Sequence, residues 1–259
     1  MMKHKIVNIT FITILSTLAL LSLFVAINWW YFAIAGLLWF GIAFTGSAWI
    51  ESNYHVKAYC SGENKIDRKI ALTFDDGPSI FTIPVLDILR EHNAEATFFC
   101  IGKNIDEHPD IFKHTISEGH LVGNHSYWHG RDFDFKKTDA VLEELQKTDA
   151  AILKYSGKKA NFFRPPYGVT NPKIRRALEA SKHKVIGWNI RSMDGVSKDE
   201  KAILKRIVSQ LKPGAIVLLH DTSAVTVSVL EQLLLTLRDK KFEVVSLEEL
   251  LQLKAYEED

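Results

Sequence analysis

The feature that most restricts this chain stands at its start: from Ile6 to Ile50 there is no Asp, Glu, Lys or Arg. Laid out as one helix, that run would be about 68 Å long at 1.5 Å per residue, roughly twice a hydrocarbon core. It therefore predicts two spans, near 6–27 and 31–50, turning at Asn28-Trp29-Trp30, where indole rings suit the membrane interface. A cleaved signal peptide is the competing reading, but its apolar region is only about 7–15 residues long. The length favours a retained anchor over residues 1–50. A hairpin returns both ends to one face. Lys3, Lys5, Lys57 and Lys65 all lie on that face and the turn carries no cation, so the positive-inside rule places the remainder of the chain in the cytoplasm.

The chain has 259 residues. Beyond the anchor and a linker over 51–66, there is room for one soluble domain, placed at 67–254 with a tail at 255–259. Positive and negative side chains nearly cancel, with a formal net charge of +1, which removes the electrostatic footprint of a nucleic-acid binder. No obligate protein partner is evident. Cys60 and Cys100 are the only cysteines, and Cys100 lies in the apolar run Ala96-Thr-Phe-Phe-Cys-Ile101, where a thiol behaves as a small hydrophobe. A disulfide framework is not expected.

From residue 67 onward, short β-rich runs alternate with amphipathic stretches. Candidate strands are 69–74, 96–101, 120–124, 161–163, 184–190, 215–219 and 243–245. The intervening helices are expected at 80–92, 106–117, 138–155, 172–180, 199–211, 225–239 and 247–254. Strand followed by helix, about seven times, argues for a parallel sheet with crossover helices. Pattern alone leaves a closed barrel and an open sheet both available.

Polar residues gather where these strands stop. The first breaks into Asp75-Asp76-Gly77-Pro78, the third into His125-Ser-Tyr-Trp-His129, the fourth into Arg164-Pro-Pro-Tyr167, and the sixth into His220-Asp221. In a parallel α/β fold that end of the sheet carries the active site. Taken singly, each has a bland explanation: an Asp-Gly turn, surface histidines, a stiff proline turn, a strand cap. A glycosidase pair is disfavoured because its carboxyls stand about 5–9.5 Å apart across a sugar, which neighbours on one turn do not obviously provide. His125 and His129 are i and i+4, so one turn of helix would put both imidazoles on one face. With Asp76 they make two nitrogens and one oxygen with a position left open, the catalytic type of zinc site, and other divalent metals suit the same donors.

These four segments, in this order, resemble the motifs of the polysaccharide deacetylase family, the NodB-homology domain of carbohydrate esterase family 4, over about residues 69–251. The resemblance implies a distorted (β/α) barrel with about seven parallel strands, here preceded by a transmembrane helical hairpin. It implies a divalent metal, zinc first and cobalt, nickel or iron as alternatives, held by Asp76, His125 and His129. Asp75 would be the general base, His220 the general acid, and Arg164 the partner that orients Asp75. The backbone N–H of Tyr167 would stabilise the oxyanion, and Ser126 would fix the loop. The implied substrate is an N-acetylated amino sugar of a glycan, peptidoglycan or chitin-like. A lipid-linked sugar at the cytoplasmic face, or a catalytically dead glycan binder, is the alternative. Where the family often has Asp-x-x-Asp-Trp, this chain has Arg191-Ser-Met-Asp194-Gly195, keeping only the second acid, Asp194, which is expected to pair with Arg164. Family habit points to cell-wall glycan outside the cell, against the charge rule, so sidedness stays open.

Overall fold

The structure, a computed structural model, describes residues 3–64 and 66–257. Lys65, one of the four cations assigned to the domain face of the hairpin, and the last two residues of the expected tail lie outside them. The chain opens with two helices, α1 (Lys3–Leu21) and α2 (Trp30–Ala48), of 19 residues each. At 1.5 Å per residue each is about 28 Å long, close to a hydrocarbon core. Both are long and apolar enough to cross a membrane, and Ile12, Leu37, Phe40 and Phe44 point outward, exposed. The first helix starts and stops earlier than the expected 6–27. Ser22 Oγ turns back onto the Ala19 carbonyl at 2.7 Å, and Leu23 and Phe24 close tighter turns onto Leu20 and Leu21. Trp29 and Trp30 do sit at the turn, stacked at 4.0 Å. Within the pair, Trp39 Nε1 donates to Asn8 Oδ1 at 2.9 Å.

The open ends of the hairpin are fastened to the α/β domain and to the segment that leads into it. His4 N–H donates to the Tyr54 carbonyl at 3.1 Å, and Thr170 N–H donates to Ser47 O at 3.0 Å. Gly46 lies against the Tyr54 ring, so close that a Cβ there would stand 2.5 Å from it. Within the stretch 51–66, expected as a linker, residues 51–64 carry structure: β1 (Ala58–Tyr59) joins the sheet, and Gly62 N–H reaches the Gly214 carbonyl at 2.8 Å.

The α/β domain continues with β2 (Lys69–Asp75), α3 (Thr82–Glu91), β3 (Ala96–Cys100), α4 (Gly102–Glu107), α5 (Pro109–Ser117), β4 (Leu121–Asn124), α6 (Thr138–Ser156) and β5 (Phe162–Phe163). It ends with α7 (Pro172–Ser181), β6 (Lys184–Ile186), β7 (Ile190–Arg191), α8 (Glu200–Val208), β8 (Ile216–His220), α9 (Ala224–Asp239), β9 (Glu243–Val244) and α10 (Leu247–Leu251). The expected helix 106–117 is two helices because Pro109 lacks an N–H to donate backward and instead opens a new helix.

The strands order as β1-β6-β5-β4-β3-β2-β8-β7, with β9 beside β2, and their pairings are parallel. The single strand expected over 184–190 is two. β6 pairs with β5 and β1 at one edge, whereas β7 pairs with β8 at the other, and Gly187-Trp188-Asn189 carries the chain between them. There Gly187 N–H reaches Tyr59 O at 2.9 Å, and Asn189 Oδ1 takes the Ile216 N–H at 2.9 Å. The split strand and β1 raise the described strands to nine. The sheet curls into a half-barrel whose edges are joined by the chain itself rather than by a continuous ladder.

Alternation along the strands sorts the two faces. Ile70, Leu72 and Phe74 pack with Phe98, Val217 and Leu219 in the core beneath the outer helices. Ala71, Phe99 and Ile216 face the other way, in a second cluster with Val245, Leu247 and Ala255 that plugs the base. Ala255 and Tyr256, expected in the tail, thus form part of the plug, with Ala160 and Tyr256 bridged antiparallel. The same parity turns Thr73 and Asp75, and Leu218 and His220, into the barrel mouth.

Candidate active site

Strand register lines up the polar residues in one row. Asp75 stands opposite His220 on β8 and Phe99 on β3, while Asn124 on β4 stands opposite Cys100 and Phe163. His125 and Arg164 are the next residues along, and their backbone N–H groups continue the ladder onto Cys100 O and Asn124 O.

Asp76 follows the strand in a left-handed conformation, φ 74°, which Asp tolerates better than most residues. Gly77 beside it has no room for a side chain, because the buried Asp221 carboxylate occupies the place a Cβ would take. Asp221 is held there by Thr82 Oγ1, and burial lifts its carboxyl to a pKa of about 7. Asp76 Oδ1 lies 3.4 Å from His125 Nε2 and 3.3 Å from His129 Nε2. The three donor atoms fall within 4.8 Å of one another. Asp76 Oδ1 is buried without a good hydrogen bond, an orphaned acceptor between two imidazole nitrogens. His125 Nδ1 is 2.8 Å from the Arg164 carbonyl, which sets it as the donor and leaves Nε2 with its lone pair toward Asp76. Burial would discourage charge on His125, but Asp75 and Asp76 raise its pKa; the same negative field favours a cation. His129, by contrast, is held below its ordinary pKa by burial and by His125, which keeps it a neutral donor. The donor set fits a divalent cation.

The two histidines are not brought together by a helical turn as their spacing predicted. They occupy a loop in which Ser126 and His129 both have positive φ, 63° and 49°, yet the imidazole centroids are 4.9 Å apart. Side chains supply what a helix would have supplied. Ser126 Oγ accepts His129 N–H at 3.1 Å, and Glu144 Oε2 accepts Tyr127 and Trp128 N–H, both at 3.2 Å. Asn124 Oδ1 accepts Ser126 N–H at 2.9 Å. Ser126 therefore holds the loop, as expected. Glu144 and Asn124 were not foreseen: Asn124 carried a signal as the polar residue ending an apolar strand, whereas Glu144 looked like any charge on α6.

Arg164 is completely buried, and its guanidinium spans the barrel. It donates to Asp75 Oδ1 at 2.7 Å, Thr73 Oγ1 at 2.8 Å, Gly187 O at 3.0 Å and Ile186 O at 3.2 Å, over the face of Phe99 at 4.1 Å. The pairing with Asp75 matches expectation. The expected pairing with Asp194 does not exist. Asp194 follows β7, beside β8, and its carboxylate instead takes His220 Nδ1 and His220 N–H, both at 2.8 Å, with Ser192 Oγ at 2.6 Å and Thr226 Oγ1 at 2.7 Å. Arg164, following β5, reaches the strands on the other side of the mouth. Burial works against a charged His220, but the Asp194 carboxylate outweighs it and, with Asp75 and Asp76, lifts the pKa to about 9.

These groups line one cavity of about 260 Å³, shared by Asp75, Asp76, His125, His129, Tyr167 and His220. Tyr167 lies in a tight turn with φ 58°, its ring 4.9 Å from that of His129. A candidate cation site thus stands between a carboxylate locked by arginine and an imidazole held protonated by a second carboxylate. That arrangement can activate water, polarise a carbonyl and deliver a proton to a leaving group.

Residues 62–186 match the profile of the family described as polysaccharide deacetylase. The chain is 34% identical over 187 residues to a peptidoglycan-N-acetylglucosamine deacetylase of Listeria monocytogenes, covering 72% of this chain and 39% of that one. It thus spans about two fifths of that relative's length. A peptidoglycan-N-acetylglucosamine deacetylase of Bacillus cereus is 32% identical over 218 residues, covering 81% of this chain and 76% of the relative. Among solved structures, a CE4 family pseudoenzyme from Bacillus anthracis matches with a TM-score of 0.70 at 26% identity, covering 75% of this chain and 68% of the other. Since one neighbour in fold is a pseudoenzyme, turnover has to be argued from the residues in the cavity rather than from the fold.

Proposed function

Because the chain belongs to the polysaccharide deacetylase family, we propose that it is a metal-dependent hydrolase that removes N-acetyl groups from amino sugars, peptidoglycan being the glycan named for its relatives. The observation that carries this reading is the single cavity in which Asp76, His125 and His129 adjoin both the Arg164-bound Asp75 and the Asp194-bound His220.

Asp76, His125 and His129 would hold the cation, zinc being a common fit to two imidazoles and a carboxylate, with cobalt, nickel or iron also suited. When bound, the metal supplies the Lewis acidity that an unreactive acetamide carbonyl and a neutral water both need. Asp75 removes a proton from the attacking water, and Arg164 keeps that carboxylate aimed. The Tyr167 backbone N–H assists the oxygen that gains charge as the carbonyl becomes tetrahedral. His220, protonated at neutral pH, gives its proton to the nitrogen as the C–N bond breaks, leaving acetate and a free amine. Asp194 restores and orients the imidazolium.

The α1–α2 hairpin is the membrane anchor, with both of its ends and the catalytic domain on one face. Its outward apolar side chains and its length support this reading. Lys3 and Lys5, at the domain end, favour the cytoplasmic face.

The test is acetate release from N-acetylglucosamine oligomers and from peptidoglycan by the full-length chain in detergent. The expected result is activity that a chelator abolishes, a divalent metal restores, and Asp75→Asn or His125→Ala destroys. A folded protein that binds no divalent metal would sink the assignment.

A further inference from the structure

The catalytic cavity does not end at its rim. Tyr167, Trp188 and Arg191 also line a second cavity of about 350 Å³, whose opposite wall is Ala48 of α2 together with Trp49, Ile50 and Glu51, and which Arg206 and Gln210 complete. The catalytic mouth and the end of a membrane-length helix are therefore separated by one cavity. Their relative position is fixed, since Ser47 O holds Thr170 N–H and Gly46 is pressed onto Tyr54. With α1 and α2 in a bilayer, the exposed Trp49 indole falls at the depth where indoles partition, among lipid headgroups.

The charges in this second cavity suit an anion. Arg206 Nε is spent on the Arg191 carbonyl at 2.8 Å, which braces the two residues together and leaves the terminal guanidinium nitrogens of Arg206 to other partners. Among the described residues the Arg191 guanidinium has no ion pair. Against the one acid in the lining, Glu51, which accepts Trp49 Nε1 at 3.1 Å, stand these two guanidiniums. A Cβ at Gly195 would stand 3.4 Å from the His220 ring, so glycine there leaves the space beside His220 open. A guanidinium pair beside a headgroup-level indole recognises a phosphate whose far side is esterified to something apolar.

We propose that the second cavity is a headgroup subsite, and that the substrate is an N-acetylated amino sugar carried on a membrane lipid through a phosphate. The acetamide sits at Asp76, the phosphate meets Arg191 and Arg206, and the lipid chain leaves along Trp49 and α2 into the bilayer. This rests on the deacetylase reading and on the hairpin being a membrane anchor. It supplies the reason for Arg191 at a position where the family often carries an acid: an acid there would repel the phosphate.

Full-length protein in phosphatidylcholine nanodiscs is given three substrates: N-acetylglucosaminyl-phosphoryl-farnesol, water-soluble N-acetylglucosamine 1-phosphate, and a neutral N-acetylglucosamine tetramer. The expected kcat/KM for the farnesyl substrate exceeds that for either of the others by tenfold or more. Arg191→Ala and Arg206→Ala should each lower the ratio of farnesyl-substrate to tetramer turnover about tenfold, the scale of a lost charge-assisted contact. A tetramer turned over as well as the lipid, a soluble sugar phosphate turned over as well as the lipid, or an equal loss on all substrates in Arg191→Ala would each overturn the proposal. Turnover of none of the three would reject the deacetylase reading instead. The subsite is then judged by quenching of tryptophan fluorescence with farnesyl phosphate, with farnesol and inorganic phosphate as controls. Binding at least tenfold tighter for farnesyl phosphate, lost in the double variant Arg191→Ala/Arg206→Ala, upholds it, and equal binding of all three overturns it.

Discussion

Asp194→Asn distinguishes two roles for one carboxylate. If Asp194 acted through Arg164, its loss would disturb Asp75 and lower kcat at every pH. The structure connects it to His220 alone among the catalytic groups, so the alkaline limb should move. The magnitude follows from the contacts. Burial lowers the His220 pKa, and the bonded Asp194 carboxylate is the main group raising it to about 9. Neutralised to an amide, residue 194 no longer offsets the burial, and the imidazole falls back toward its ordinary 6.5. At pH 8 a group of pKa about 9 is mostly protonated and one of 6.5 is protonated in a few per cent of molecules, so kcat should fall about thirtyfold. At pH 6, where an imidazole of pKa 6.5 is still mostly protonated, the loss should be less than about twofold. The assay is initial-rate acetate release from pH 5 to 10 with metal in excess, beside an NMR titration of the His220 ring. An alkaline limb that stays in place while kcat falls equally at every pH would refute the reasoning.

The same ion pair sets a stability trend. Because the folded pKa of His220 is raised, its contribution is complete below about 6.5 and lost as pH climbs to about 9, so wild-type stability should decline by about 1–3 kcal/mol across that window. Denaturant melts at several pH values should show this slope in wild type and a flat line in Asp194→Asn. Arg164→Met leaves Asp75 buried without its cationic partner and strips donors from Thr73, Ile186 and Gly187. It should cost about 3–5 kcal/mol by thermal or urea unfolding, and a loss under 1 kcal/mol would contradict the keystone role of that side chain. Glu144→Ala removes the acceptor for Tyr127 and Trp128 N–H beneath the His125–His129 loop. Zinc affinity should weaken about tenfold in competition titrations while the fold persists, and an unchanged Kd would mean the loop holds itself.

Much of the site could be read along the chain because its chemistry is concentrated where strands end. Asp75 and Asp76, His125 and His129, Arg164 and His220 each follow an apolar run, and a parallel sheet gathers such positions at one rim. The supporting residues left no such trace. Glu144 is sixteen residues from Trp128 and Thr226 thirty-two from Asp194, and only the packing of α6 and α9 against the sheet brings them into reach.

By itself the sequence determined the two apolar spans, the alternation of strand and helix, and the identity of the donor atoms, since these depend on residue type and on periods of two and 3.6 within short windows. Only the tertiary structure decided which carboxylate serves which base or acid. Asp194 is three residues from Arg191 and thirty from Arg164 by number, and nothing in that spacing reveals that β7 lies against β8, so that Asp194 answers to His220. It also decided that Gly187-Trp188-Asn189 cross from one edge of the sheet to the other, that residues 58–62 help to join those edges, and that the end of α2 walls the cavity beside Arg191. Those facts are set by long-range pairing, whose energy lies in contacts between segments that no local pattern specifies.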